Sequence, residues 1–205
     1  MDFTEIERLR DKLKSMRPLN DTELKRLRDE FIIENTYNSN AIEGNTLTLR
    51  ETALILQEGV TIAEKPVREH LEAIGHKEAF EYIISVADAN TKLTEQVIKY
   101  IHSLVLMNDA SNRGIYRRMP VTIMGAIHTP PQPYLVPQQV EDLVRDYGYM
   151  KQNKHIIESI AEFHLRFEGI HPFIDGNGHT PEPLSQLIAD YEAEELARRI
   201  KISDR

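Results

Sequence analysis

The residues best suited to chemistry lie in one short segment, His171 to Gly178. It holds an ionisable imidazole, a carboxylate four residues later at Asp175, and a Gly-Asn-Gly run over 176–178. Because glycine has no β-carbon, such a run can turn its backbone N–H groups inward and bind phosphate oxygens. A nearby carboxylate suits Mg²⁺ bound to the same phosphates, and a histidine can accept the proton of an attacking hydroxyl. Taken singly, these residues also fit an ordinary turn and a structural histidine.

Helical periodicity precedes this segment over most of the chain. Apolar residues recur every three or four positions, which predicts amphipathic helices. Asn20 and Asp21 are good capping residues, the Thr48/Glu51 pair has the form of a capping box, and Gly44 and Gly59 mark helix ends. The predicted helices cover about 3–13, 21–42, 49–58, 66–87, 94–107, 137–152 and 154–167.

The helical pattern breaks between Asn108 and Pro137. Prolines and glycines are frequent there, and they flank a β-favouring run over 121–124. We interpret this segment as a small β-hairpin or flap with Gly125 near its turn. The predicted fold class is therefore all-α, a single globular unit of helices with one small β-hairpin flap.

Composition excludes several classes of function. The 205 residues include no cysteine, so a disulfide scaffold, a thiolate metal site and a cysteine nucleophile are excluded. The 25 basic and 33 acidic residues give a net charge of −8, which is unsuited to sequence-independent binding of nucleic acid. The sequence shows neither a transmembrane run nor a signal peptide, so we expect a cytoplasmic protein that does not bind membranes.

The segment 171–178 resembles the signature of the Fic family, His-Pro-Phe-x-Asp/Glu-Gly-Asn-Gly-Arg-x-x-Arg. Residues 39–44, Ser-Asn-Ala-Ile-Glu-Gly, resemble the family's inhibitory motif, placed as in the class with an N-terminal inhibitory helix. Residues 114–117 and 121–125 resemble the flap that holds the target of the enzyme. The resemblance covers about residues 30–178 and implies the Fic-type helical fold.

This resemblance implies a division of the chain into two parts. Residues 1–45 would form N-terminal helices that include the inhibitory helix, and residues 46–205 would form the Fic core domain. Within the first part, Ser39 and Glu43 would be the inhibitory residues.

The resemblance implies a protein adenylyltransferase, or AMPylator, which moves AMP from ATP to a Ser, Thr or Tyr hydroxyl of a target protein or of itself. His171 would be the general base, and Asp175 would hold Mg²⁺ on the phosphates. The nucleotide-binding residues would lie in the motif and in the flap. They are Gly176, Asn177, Gly178, Thr122, Ile123, Met124 and Gly125. The target protein would dock on the flap, and homo-oligomerisation is left open.

The sequence departs from the family pattern after Gly178, because His179 and Glu182 stand where the signature has arginines. The second arginine pairs in the family with the γ-phosphate or with the inhibitory glutamate, so Glu43 is expected to lack that partner here. Two alternatives to AMP transfer therefore stay open. One is removal of AMP, with Glu43 orienting a water molecule, and the other is a decayed Fic fold that binds nucleotide or protein without catalysis.

Other basic residues near the motif have less specific interpretations. Arg166, one turn before the motif, is a candidate to replace a missing phosphate-binding arginine. Arg117 and Arg118 are adjacent, which is typical of a solvated surface and also compatible with binding of phosphate or a partner's carboxylate. His102 lies on a predicted helix and is interpreted as a core or surface residue.

Overall fold

The computed structural model describes residues 2–15, 20–89, 92–123 and 127–178. Within these ranges the chain forms seven α-helices, and one turn of 3-10 helix leads into the sixth. The α-helices are α1 (Thr4–Ser15), α2 (Asp21–Ile42), α3 (Leu49–Glu58), α4 (Val67–Asp88), α5 (Glu95–Val105), α6 (Val136–Asn153) and α7 (Ile156–Ile170). The helical fold class is confirmed. None of the described helices combines the length and the apolar character that a membrane crossing needs.

The predicted helix ends are confirmed where capping chemistry marks them. Thr48 and Glu51 form a reciprocal capping box at the start of α3, and Gly59 ends that helix in the left-handed conformation at φ 66°. Asn20 and Glu23 form a second capping box at the start of α2. Each box satisfies two backbone N–H groups that a helix start leaves without partners.

The main hydrophobic core lies between α4, α5, α6 and α7. Three phenylalanines are fully buried in it, Phe163 and Phe167 from α7 and Phe173 from the segment that follows. A β-carbon at Gly75 would collide with the backbone carbonyl of Leu104, so α4 and α5 approach closely at this glycine. Because Phe173 belongs to the core, the segment after α7 is fixed by the same packing that holds the helices together.

Helix α2 packs against α3 and α4 outside this core. Its C-terminal end is the part that matters for the site, because Glu43 is the residue that caps it. Helix α1 reaches the start of α7, where Phe3 stacks on His155 at 4.0 Å between ring centroids. Glu7 and His155 add a hydrogen bond of 2.8 Å between Oε1 and Nε2.

The predicted β-hairpin is not seen. Residues 120–123 and 127–132 form no strand, and the expected turn at 124–126 lies outside the described residues. Pro120, Pro130 and Pro131 carry no N–H, so a ladder between the two legs of this segment would lack donors. We keep the name flap for residues 119–132, whose described parts form neither helix nor strand.

Candidate functional site

The site is built on the end of α7. His171 caps this helix with a left-handed backbone, φ 49° and ψ 62°, and its N–H donates to the Phe167 carbonyl at 2.9 Å. A positive φ at a residue other than glycine is uncommon and needs support from its surroundings. The sequence predicts that this helix ends at about residue 167, whereas α7 extends to Ile170. Because α7 extends to Ile170, His171 directly follows the helix. It is the first residue of the motif loop, residues 171–178.

The buried side chain of Asn177 holds the motif loop in shape by hydrogen bonds to Phe173. Its side-chain amide donates to the Phe173 carbonyl at 2.8 Å and accepts the Phe173 N–H at 2.8 Å. Asn177 is buried, so these bonds are shielded from water. Both the oxygen and the nitrogen of this amide therefore hold the loop in shape.

His102 supports the loop from α5, a role that sequence reasoning missed. Its Nε2–H donates to the Asp175 carbonyl at 2.9 Å, and its Nδ1 accepts the Gly114 N–H at 2.8 Å. The ring also stacks on Phe173, with 3.6 Å between ring centroids. Burial lowers the pKa of His102 to about 4, which outweighs the opposing effect of the bond to Asp175. His102 is thus a neutral imidazole with both nitrogens satisfied.

Gly176 depends on this histidine. Its backbone is left-handed at φ 69°, and a β-carbon there would lie 3.3 Å from Nε2 of His102. Both the conformation and the close approach favour glycine. No local sequence signal links residues 102 and 176, because they meet only in the folded chain.

Arg117 is buried rather than solvated, which corrects the surface interpretation. Its Nε donates to the His171 carbonyl at 2.8 Å, and its Nη2 and Nη1 donate to the Pro131 and Met119 carbonyls at 2.6 and 3.1 Å. Its backbone N–H donates to the Pro172 carbonyl at 2.9 Å. Burial lowers the pKa of Arg117. Carbonyl oxygens at the negative end of α7 stabilise this buried charge. One side chain therefore joins both legs of the flap to the motif loop.

His171 presents one buried and one outward nitrogen. Its Nδ1 is buried without a hydrogen bond to the described part of the chain, and the nearest carboxylate oxygen there, Oε2 of Glu168, is 3.8 Å away. Burial, and then the positive charge of Arg117, lower the pKa of His171. The imidazole is therefore neutral near pH 7 and able to accept a proton through Nε2.

The predicted inhibitory glutamate reaches the motif loop. A β-carbon at Gly178 would lie 2.5 Å from Oε1 of Glu43, so this carboxylate lies against the last glycine of the loop. Ser39 is buried one turn earlier in α2, and its carbonyl accepts the Glu43 N–H at 3.4 Å. The fold thus brings the end of α2 against the motif loop.

Asp175 and the flap residues are more exposed. Asp175 is exposed, and its Oδ1 accepts the Gly176 N–H at 2.8 Å. In the described part of the chain no three potential ligand side chains cluster around a metal position. A single carboxylate still fits Mg²⁺, since this ion takes one or two protein carboxylates and completes its shell with phosphate and water.

The remaining predicted residues have mixed outcomes. Thr122 is exposed and Ile123 is half-buried in the flap. Met124, Gly125, His179 and Glu182 lie outside the described residues. Arg166 donates to Asp146 of α6 at 2.8 Å, which does not support a role for it at the phosphates.

Comparison with known proteins agrees with the geometry. The family model for the Fic/DOC family matches residues 92–182, which include α5, the flap and the motif loop. The chain is 35% identical over 187 residues to "Protein adenylyltransferase Fic" of Nematostella vectensis, covering 89% of this chain and 43% of that protein. It is 33% identical over 197 residues to the protein of the same name from Aedes aegypti, covering 92% and 38%. The chain thus spans less than half the length of these relatives.

Solved structures show the same fold. A Fic domain containing signaling protein from Bacteroides thetaiotaomicron superposes with a TM-score of 0.85 at 33% identity, over 92% of this chain and 74% of that one. A fragment of Fic-1 from C. elegans superposes with a TM-score of 0.81 at 30% identity, over 92% and 56%. The motif loop, the family model, the relatives and the solved structures all agree. The chain therefore belongs to the Fic/DOC family.

Proposed function

We propose that this chain is a protein adenylyltransferase that moves AMP from ATP to a Ser, Thr or Tyr hydroxyl of a protein. The observation that carries the proposal is the neutral, half-buried His171 held at the edge of a glycine-containing loop. The relatives from Nematostella vectensis and Aedes aegypti carry the name protein adenylyltransferase, which supports the same activity.

In the proposed reaction, the hydroxyl oxygen of the target attacks the α-phosphorus of ATP. The bond from that phosphorus to the pyrophosphate oxygen breaks, and the hydroxyl proton passes to Nε2 of His171. Nε2 is the suitable atom because Nδ1 is buried. A positioned general base of this kind contributes about 10²- to 10⁴-fold to the rate.

The motif loop and Asp175 would hold the nucleotide. The backbone at Gly176, Asn177 and Gly178 would bind phosphate oxygens, and Asp175 would hold Mg²⁺, which would offset the phosphate charge. Oδ1 of Asp175 accepts the Gly176 N–H in this structure. Binding of ATP would therefore exchange that contact for one between the N–H and phosphate.

The flap would bind the target protein, with Thr122, Ile123, Met124 and Gly125 beside the nucleotide. The backbone of 121–123 makes no hydrogen bond to the described part of the chain, so it can pair with an extended target segment. A shallow groove of about 550 Å³ lies beside the legs of the flap and would extend this surface. Its lining includes Tyr116, Pro120, Pro133, Tyr134 and Pro137.

The test is incubation with ATP and Mg²⁺, followed by intact-mass analysis of the chain and of lysate proteins. We expect a mass increase equal to one AMP and its loss in His171→Ala, with ATP binding changed only a few-fold. His164→Gln, at another histidine of α7, is the matched control. Binding of ATP without transfer by the parent would favour the alternative of a non-catalytic nucleotide-binding fold.

A second activity, removal of AMP, is favoured by the position of Glu43. Its carboxylate lies against Gly178, where it could orient a water molecule toward the α-phosphorus. The test supplies an AMP-modified protein and measures AMP release by the parent and by Glu43→Gln. Release that depends on Glu43 would establish this second reaction.

We also propose that residues 1–45 act as the inhibitory unit and residues 46–205 as the core. The contact of Glu43 with the loop supports this division. An inhibitory carboxylate at this place would repel the phosphates by like charge. Ser39, buried in the last turn of α2, would fix the direction of that turn.

A further inference from the structure

Glu168 and His171 lie one helical turn apart and face each other at the end of α7. Oε2 of Glu168 is 3.8 Å from Nδ1 of His171. Oε1 of Glu168 and Nδ1 of His171 are both buried and make no hydrogen bond to the described residues. Buried polar atoms without partners are rare in folded proteins, so each one needs an explanation. A catalytic role is one such explanation.

We propose that Glu168 is a positioning residue for His171: its carboxylate holds the proton of the imidazole on Nδ1 and leaves Nε2 to receive the proton of the target hydroxyl. This inference rests on the proposed function of His171 as general base. The proton position on a neutral imidazole is set by the partner of the other nitrogen. The Glu168 backbone carbonyl also faces the imidazole, and the Glu168 side chain adds the carboxylate beside Nδ1, 3.8 Å away, that favours the tautomer a base needs.

The carboxylate would also stabilise the imidazolium that forms when His171 accepts the proton. A buried acid performs this task for the catalytic histidine of serine hydrolases. The separation of 3.8 Å is longer than a hydrogen bond. Contacts of this kind are often long without substrate and shorten in the reactive complex.

The charged groups around the pair come from four parts of the fold. They are Glu43 at the end of α2, Arg117 before the flap, Asp175 in the motif loop, and the pair itself. Burial, and then the charge of Glu43, raise the pKa of Glu168 to about 7. Because the pKa of His171 is lowered, the group of this pair that changes charge near neutral pH is Glu168.

This arrangement links the inhibitory helix to the base. When Glu43 lies at the loop, its negative charge favours the protonated, neutral form of Glu168. A neutral Glu168 stabilises the imidazolium of His171 less than an ionised one does. Glu43 would therefore slow proton transfer through Glu168, besides any repulsion of the phosphates.

The first experiment needs no catalysis. Nitrogen-15 NMR of the imidazoles in the full chain, recorded above pH 7 without nucleotide, reports which nitrogen of His171 carries the proton. We expect the proton on Nδ1 in the parent and in the control Glu162→Gln, and a shift toward Nε2 in Glu168→Ala. Circular dichroism checks that each variant is folded. The same tautomer in the parent and in a folded Glu168→Ala would overturn the proposal.

The second experiment measures kcat for AMP transfer against pH. We expect kcat of the parent to rise as pH passes about 7, and Glu168→Gln to lose this rise and to lower kcat about tenfold to hundredfold. KM for ATP should stay within about twofold, since Glu168 acts on the base and not on the phosphates. An unchanged pH profile in Glu168→Gln would contradict the proposal.

Glu43→Gly tests the link to the inhibitory helix in the same assay. We expect the rise in kcat to move to lower pH, because the carboxylate that raises the pKa of Glu168 is gone. A rise at the same pH would overturn the link. Failure of the proposed function is distinguishable, because it would abolish transfer in all these proteins while the NMR result would still report on Glu168 and His171.

Discussion

The motif loop and the flap are neighbours, but they differ in how far their backbone N–H and C=O groups are hydrogen-bonded. In the motif loop, Asn177 satisfies both backbone groups of Phe173, and His102 satisfies the Asp175 carbonyl. In the flap, the backbone of 121–123 has no partner in the described part of the chain. The loop is thus completed by its own fold, whereas under the proposed function the flap would be completed by a target.

Arg117 connects these two regions. Its guanidinium binds the Met119 and Pro131 carbonyls of the flap and the His171 carbonyl of the loop. It supplies the link between the legs of the flap that a β-ladder would otherwise supply. Four substitutions or conditions test this contrast between a closed loop and an open flap.

Asn177→Ala should have the largest effect, because it leaves the buried N–H and carbonyl of Phe173 without partners. Each such group costs about 1–3 kcal/mol, so we expect a loss of about 4 kcal/mol in the free energy of unfolding. Urea denaturation measures it. Asn153→Ala, at an exposed residue of α6, is the control and should lose under about 0.5 kcal/mol. A small loss in Asn177→Ala would mean that water can replace the amide.

Acidification should destabilise the loop through His102. Its folded pKa is about 4, below the ordinary 6.5, so the unfolded chain binds the extra proton and stability falls as pH drops from 6.5 to 4. The full difference between the folded and unfolded pKa of His102 corresponds to about 3 kcal/mol in the free energy of unfolding. Thermal unfolding across this range should show that His102→Gln is less stable at pH 7 but less sensitive to acid. Equal acid sensitivity in parent and variant would exclude His102 as the cause.

Arg117→Lys keeps the charge but loses the planar fork, which donates to four carbonyls, those of Met119, Pro131, Ile170 and His171. We expect a loss of about 2 kcal/mol in unfolding free energy and about tenfold lower AMP transfer, because both flap and loop lose their common support. Arg118→Lys, at the exposed neighbour, is the matched control. Transfer lowered equally in both variants would show that the hydrogen bonds of Arg117 to the flap and the loop are not the cause of the loss.

Thr122→Pro should have the smallest effect on stability, under about 0.5 kcal/mol, because this exposed N–H has no partner in the described part of the chain. It should raise KM for a protein target about tenfold and leave ATP binding unchanged, since proline removes a donor for pairing with the target. Thr122→Ala keeps the N–H and serves as control. An unchanged KM would argue against backbone pairing at the flap.

The sequence by itself determined the helices and the chemistry-bearing segment. The caps at Asn20, Thr48 and Gly59 were predictable because capping depends on residues three or four positions apart. His171 to Gly178 stood out because its residue types and spacing suit phosphate chemistry, and the family resemblance rested on the same residues. The predicted hairpin is not seen in the described residues, because β-favouring residues alone do not supply the N–H donors that the flanking prolines remove.

Only the tertiary structure decided which distant residues serve the loop. His102 meets Asp175 across 73 positions, and Arg117 meets His171 across 54, distances at which no periodic pattern carries information. The burial of Arg117 was unpredictable for the same reason, since its partners are backbone carbonyls that every residue type offers. Glu168 and His171 are close in sequence, so their proximity could be predicted. The raised pKa of Glu168 could not, because it depends on the burial of Glu168 and on the charge of Glu43, which only the packing of α2 brings to the loop.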